Sequence, residues 1–294
     1  MYKIYFICSW MGSGGKTLEM VKRLTPSLSG CWKDLFEGTD NIKEADYWVI
    51  LEDYPDTFPI HHLSRDRLIA YSFEPPCIRP NKKWFKLNLI NGFTFADIYY
   101  PMANFDFIGH TFDYWNSLEY PTKLASVSCV VSGKTHTPGA TQRLNFIKQL
   151  LPKCPLLDVY GCNSPFKPPQ YKGTIKTKSV ALTSYKYSIC MENCSIENYF
   201  TEKFTDAILC WTIPIYWGCT NIANYFPPGS YYLIDITKPE EAVEIVNKII
   251  TLPVTEEQIS ALKEARRRVL YEYNIWPTLE RTISNKKLIN FFSC

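Results

Sequence analysis

The sequence predicts an α/β protein, and three observations lead to that class. Short, almost wholly apolar runs recur at strand length, as in Tyr2–Cys8, Ala45–Leu51 and Leu68–Phe73. Runs of this kind suit strands that are covered on both faces. From Lys123 onward they alternate with helical patterns, which is the order of an open, largely parallel sheet. Hydrophobic residues make up 46% of the 294 and charged residues 21%, enough for a large core and unlike disordered or collagen-like chains.

In the first half, the strand Tyr2–Cys8 leads into a glycine-rich turn and a helical pattern over Thr17–Leu24. Ala45–Leu51 and Leu68–Phe73 follow as buried strands. Pro75, Pro76 and Pro80 stop the second, since proline lacks the N–H that a ladder requires. The length allows two domains or one large one, and a hinge-like stretch over Tyr114–Thr122 sets the expected division into residues 1–120 and 121–294.

The second half is more regular. Lys123–Val131 reads as a strand, followed by a loop over Ser132–Thr141 and a helix over Thr141–Leu151. Leu156–Tyr160 is a strand closed by Gly161, and Tyr185–Met191 another. Helix Thr201–Leu209, strand Ile213–Trp217 and strand Tyr231–Asp235 come next. Thr237 with Glu240 forms a capping-box start for a helix over Pro239–Ile250. Helices over Glu256–Glu272 and Pro277–Phe292 complete the chain, the run Arg266-Arg267-Arg268 reading as a solvated helix face.

Composition narrows the function. A net charge of +3 is too small to indicate a nucleic-acid-binding surface. Eleven cysteines at irregular spacings make no disulfide framework, and Cys8, Cys129 and Cys190 fall in apolar runs as small buried hydrophobes. Neither they nor the four histidines show a metal-ligand spacing. A reducing, cytoplasmic setting is expected. The N-terminal apolar run is too short for a secretion signal. The longest apolar stretch, Ala207–Gly218, falls below the roughly 20 residues of a spanning helix, so a soluble protein without a transmembrane segment is expected.

Three features bear on chemistry. Gly15-Lys16-Thr17 suggests a phosphate loop, but the Walker pattern needs glycine where Trp10 stands, and a glycine turn before a helix is the better reading. No Asp-x-Asp pair occurs anywhere, so a metal held on a diphosphate by paired carboxylates is not expected. Diphosphate charge would then fall to lysine, arginine and helix N-termini. Arg143, early in a helix, and Lys203, in the first turn of another, supply such groups. A lysine at a helix N-terminus is unfavourable unless an anion lies beside it, and the adjacent Glu202 can accept hydrogen bonds from sugar hydroxyls.

Around these residues run Tyr185-Lys186-Tyr187-Ser188-Ile189-Cys190-Met191-Glu192-Asn193, then Tyr199-Phe200-Thr201-Glu202-Lys203, then Ile213-Pro214-Ile215-Tyr216-Trp217-Gly218. This ordered series resembles the signature of the α-1,3/1,4-fucosyltransferase family, with Met191 and Phe200 as apolar replacements for the usual residues. The resemblance extends from Lys123 to about Asp235 and includes the strand, serine loop and arginine helix over Val130–Leu150. It implies a GT-B architecture, in which two Rossmann-like lobes face each other across a cleft, the acceptor on the first and the nucleotide sugar on the second. It also implies an inverting, metal-independent transfer from GDP-fucose, a substrate with no further cofactor. By position, Arg143 and Lys203 match diphosphate ligands and Glu202 the carboxylate that contacts the sugar, while Tyr199, Asn193 and Ser132 match neighbouring donor contacts.

An inverting transfer needs a base to take the acceptor proton. Glu74, ending Leu68–Phe73 and followed by Pro75-Pro76, is the candidate from the first lobe. The expected function is thus transfer of fucose from GDP-fucose to a hydroxyl of a glycan or glycoprotein. The alternatives are the same chemistry with another donor such as UDP-xylose, and a glycan-binding module that has lost catalysis.

Overall fold

The computed structural model describes residues 1–10, 12–74, 83 and 108–291. The chain forms two compact units, one of Met1–Phe105, His110–Asn116 and Leu270–Cys294, the other of Asp106–Gly109 and Ser117–Val269. Each is built on a mostly or wholly parallel sheet, as the α/β expectation requires.

In the first unit, β1 (Tyr2–Cys8) is central, and β2 (Gly12–Ser13) folds back antiparallel on its end. On one side of β1 lies β4 (Phe36–Gly38), edged by the antiparallel β3 (Cys31–Trp32). On the other lie β5 (Tyr47–Leu51) and β6 (Leu68–Tyr71), both parallel to it. Ile4 to Cys8, Val49 to Leu51 and all of β6 are buried, the continuous burial of strands covered on both faces. One face packs Tyr5, Ile7, Ile50, Leu68 and Ala70 against Phe58 and Ile60. Helix α1 (Gly15–Lys22) begins at Gly14, whose φ of 76° suits glycine; this is the expected glycine turn.

The second unit has β7 (Ala125–Val130), β8 (Leu157–Tyr160), β9 (Tyr171–Gly173), β10 (Tyr185–Met191), β11 (Ile213–Trp217) and β12 (Tyr232–Leu233). They lie in the order β12-β11-β10-β7-β8-β9, and every neighbouring pair is parallel. The chain enters at β7, builds outward to β8 and β9, then crosses back to place β10 on the other side of β7. Between β7 and β10 the winding therefore reverses, and the carboxyl ends of the two strands part to leave a crevice.

Helices α2 (Phe112–Ser117), α3 (Pro138–Leu150) and α4 (Glu202–Leu209) precede α5 (Pro239–Ile249), α6 (Glu256–Tyr271) and α7 (Ile275–Phe291). The last departs from expectation. The expected division at residue 120 puts it with the second lobe, whereas Leu270–Cys294 groups with the first unit. Trp276 fixes it there, its ring edge-on to Phe6 at 5.3 Å and its indole N–H donating to the Val21 carbonyl. Glu280 pairs with Lys33, and the hydroxyls of Thr282 and Tyr71 bond at 2.8 Å.

Two further expectations fail locally. Thr237 does not cap α5; its hydroxyl bonds Asp235, and Lys238 occupies the cap position. The basic run is not uniformly solvated. Arg267 and Arg268 pair with Glu264, but Arg266 is buried, donating to the carbonyls of Leu209 and Leu118 and lying 4.4 Å over the Trp211 ring. Lys123 joins it at the carboxyl end of α4, donating to the Cys210 and Thr183 carbonyls and to Thr212. Two basic side chains thus donate to the carbonyls at the negative end of the α4 dipole. Burial draws the Lys123 ammonium down to about 7. Among the described residues no helix is long and apolar enough to cross a membrane.

Candidate active site

The crevice at the reversal point holds a pocket of about 410 Å3, solvent at its mouth included. Val130, the last residue of β7, and Val131 after it form one wall, and Ile189 to Met191 end β10 on another. Arg143 from α3, Lys178 from the short turn Lys178–Ala181, and Glu202, Lys203 and Asp206 from α4 bring charge into it.

The α4 end of the pocket is built by Glu192, the first residue past β10. This carboxylate is fully buried. One oxygen accepts from the Thr201 backbone N–H at 2.8 Å and the other from the Thr201 hydroxyl at 2.7 Å. Thr201 is the N-cap of α4, and its hydroxyl in turn accepts from the Lys203 N–H. A strand end is thereby tied to a helix start, with Lys203 and Glu202 in the first turn above the joint. The Lys203 ammonium lies 3.1 Å from Glu202 and 3.7 Å from Glu192. The anion that a lysine needs at this position is therefore supplied first by the protein itself. Burial works against the Lys203 charge, but Glu202 and Glu192 outweigh it and hold its pKa above the ordinary value. Burial likewise opposes ionisation of Glu202, but Lys203 and Lys178 prevail and hold that carboxyl well below its usual range.

Arg143 lies on α3, which starts at Pro138 with Thr137 as its cap, three residues sooner than expected. Arg143 therefore sits in the second turn rather than at the helix N-terminus. Its reach into the pocket comes from a bond between one terminal nitrogen and the Met191 carbonyl at 3.2 Å. Its buried Nε has no partner among the described residues, so the guanidinium keeps donor capacity for an anion.

Arg143, Glu202 and Lys203 are thus brought together in one pocket. Ser132 adjoins it, one residue past Val131. Asn193 follows Glu192 and packs its backbone on the start of α3. A Cβ built on Gly139 would stand 1.8 Å from the Asn193 carbonyl oxygen. Gly139→Ala is accordingly expected to destabilise the chain by about 1–3 kcal/mol through overpacking, read as a lowered thermal midpoint; an unchanged midpoint would mean that Asn193 and the start of α3 are not locked. Tyr199 is fully buried, outside the pocket lining, its carbonyl accepting from Tyr216. Glu74 belongs to the first unit. It lies three residues past the end of β6, where the Ser72 hydroxyl donates to its carbonyl and Glu52 accepts from the Phe73 N–H at 2.5 Å. Pro75, Pro76 and Pro80 lie outside the described residues.

Sequence reasoning missed Lys178, Asp206 and the role of Glu192. Asp206 stands four residues after Glu202 on α4, a spacing that puts both on one helix face and could have been read. Glu192 was in view as part of a motif. Lys178 had no local signal, since it is carried by a single turn just ahead of the motif series and outside it. No group of three His, Cys, Asp or Glu side chains among the described residues is arranged to hold a metal ion.

The α-(1,3)-fucosyltransferase FucT of Helicobacter pylori is 34% identical over 125 residues, 40% of this chain and 24% of that protein. The α-(1,3)-fucosyltransferase B of Drosophila melanogaster is 31% identical over 113 residues, 37% of this chain and 22% of its own. The matches thus span about a quarter of each relative's length. Among solved structures, an α-glucosyltransferase in complex with UDP and a 13-mer DNA superposes with a TM-score of 0.53 at 9% identity, covering 93% of this chain and 96% of that one. That likeness concerns the fold alone. The description of glycosyltransferase family 10 (fucosyltransferase), C-terminal part, matches residues 120–266, half of the chain and the whole of the pocket described above. The chain belongs to glycosyltransferase family 10, the fucosyltransferases.

Proposed function

We propose that this protein transfers fucose from GDP-fucose to a hydroxyl of a glycan or glycoprotein, with inversion at the anomeric carbon and without a metal ion. The observation that carries the reading is the pocket at the winding reversal, where Arg143 and Lys203 share the lining with the ionised Glu202 within a family 10 domain. Two cations there suit a diphosphate, which needs charge-assisted donors aimed at its oxygens. Arg143 has a buried N–H to offer, and Lys203 can exchange its carboxylate partners for phosphate oxygens.

In the proposed displacement, Glu74 takes the proton of the acceptor hydroxyl as its oxygen bonds to the anomeric carbon. The bond from that carbon to the diphosphate breaks, and its electron pair leaves with GDP. Arg143 and Lys203 stabilise the charge that grows on the leaving group, and Glu202 faces the positive charge developing on the sugar ring. Asn193, Tyr199 and Ser132 support the donor side. Buried unpaired thiols such as Cys129, Cys190 and Cys210 suit a reducing, cytoplasmic setting.

The test is transfer in EDTA with GDP-fucose and UDP-xylose as rival donors, the product anomer read by NMR. Turnover from GDP-fucose giving an α-linked product from the β-linked donor is expected. Preference for UDP-xylose, retention of configuration, or loss of activity in EDTA would each contradict one part of the proposal.

A further inference from the structure

Glu202 has two cationic neighbours, and they are held differently. Lys203 is shared among Glu202, Glu192 and the Thr201 hydroxyl. Lys178 lies 3.4 Å from Glu202 and 2.9 Å from Asp206, a carboxylate that is 1% exposed and one helical turn along the same face of α4. One Asp206 oxygen binds Lys178; the other has no hydrogen-bond partner among the described residues. An aspartate this buried is costly unless it holds a cation in place. Resting on the reading above, we propose that Lys178 and Asp206 form a positioning pair that keeps Glu202 ionised and aimed while the donor diphosphate engages Lys203.

A diphosphate at Lys203 competes with Glu202 for that ammonium and sets new negative charge beside the carboxylate. Both changes favour protonation of Glu202, and a protonated Glu202 could not face positive charge on the sugar ring. Lys178 is not drawn away, because Asp206 anchors it. The other groups around Glu202 do not replace it. Arg143 on α3 bonds Met191, and Glu192 after β10 is a carboxyl bound to Thr201 whose pKa burial raises. The strand thiols Cys129 and Cys190 stay neutral, burial pushing both up. Asp206 is the weaker acid of the two on α4, burial raising its pKa against the pull of Lys178.

The test is a carboxyl 13C NMR titration of the full chain with saturating GDP in EDTA, the Glu202 resonance identified by its loss in Glu202→Gln. In the wild type, Glu202 should remain ionised down to about pH 5. In Lys178→Met it should titrate at least about one unit higher, and Lys178→Arg should restore the wild-type behaviour. Asp206→Asn, which keeps side-chain shape and the lysine, should shift Glu202 in the same direction by less. Turnover supplies a second readout: kcat should fall about 10- to 100-fold in Lys178→Met with the donor KM within about threefold. If both variants bind GDP and Glu202 titrates as in the wild type, the pairing is overturned while the donor site stands. If the wild type does not bind GDP, the donor reading fails and this inference with it. A raised KM at unchanged kcat would make Lys178 a simple donor ligand and overturn the positioning role.

Discussion

Lys203→Ala is expected to lower kcat/KM for GDP-fucose by about 10²–10³-fold, the loss that follows removal of one preorganised charge donor from a transition state. The lysine does two things at once. It neutralises Glu202 and the fully buried Glu192, and it stands at the positive end of α4 where leaving-group charge would accumulate. Alanine removes both effects and leaves Glu192 without a cation at 3.7 Å. Lys203→Arg separates them. It keeps the charge beside Glu192 and should keep the fold, while its planar, wider head should not reproduce the lysine contact. Steady-state kinetics with GDP affinity measured alongside decides the matter. Alanine variants that turn over within a few fold of the wild type would remove Lys203 from the chemistry.

Glu74→Gln is expected to lower kcat by about 10²–10⁴-fold, the usual contribution of general-base catalysis, while GDP affinity stays at the wild-type value. The two expectations diverge because Glu74 and the donor pocket belong to different units of the chain. Glutamine retains the size of the side chain and its acceptor oxygen, so the backbone turn held by Ser72 and Glu52 should survive. A variant with near-normal transfer would eliminate Glu74 as the base. One that had lost GDP binding as well would show that the substitution acted through the fold.

Much of the second unit was legible because its signals are local and redundant. The apolar runs of β7, β10 and β11 are long enough to read, and Thr201 and Glu202 declare the start of α4 by residue type alone. The start of α3 was misplaced even though Thr137-Pro138 is a standard cap and first-turn pair; the cost was to put Arg143 at a helix terminus it does not occupy. Strands β3, β4 and β9 have two or three residues, too few for any periodicity to register. The apolar stripe of α7 shows that it packs on something, but Trp276 against Phe6 is a contact between residues 270 positions apart and has no local trace. Lys178 was hidden for the same reason. It gains meaning only when the turn that carries it meets α4, and neither Glu202 nor Asp206 signals its presence in sequence.

The most direct test of the central claim is a crystal structure of the full chain with GDP, grown in EDTA. The account predicts a diphosphate in the crevice between the ends of β7 and β10, its oxygens within hydrogen-bonding distance of Arg143 and Lys203, and Glu202 turned toward the site of the transferred sugar. A nucleotide bound elsewhere, or a diphosphate in this crevice contacting neither cation, would contradict it.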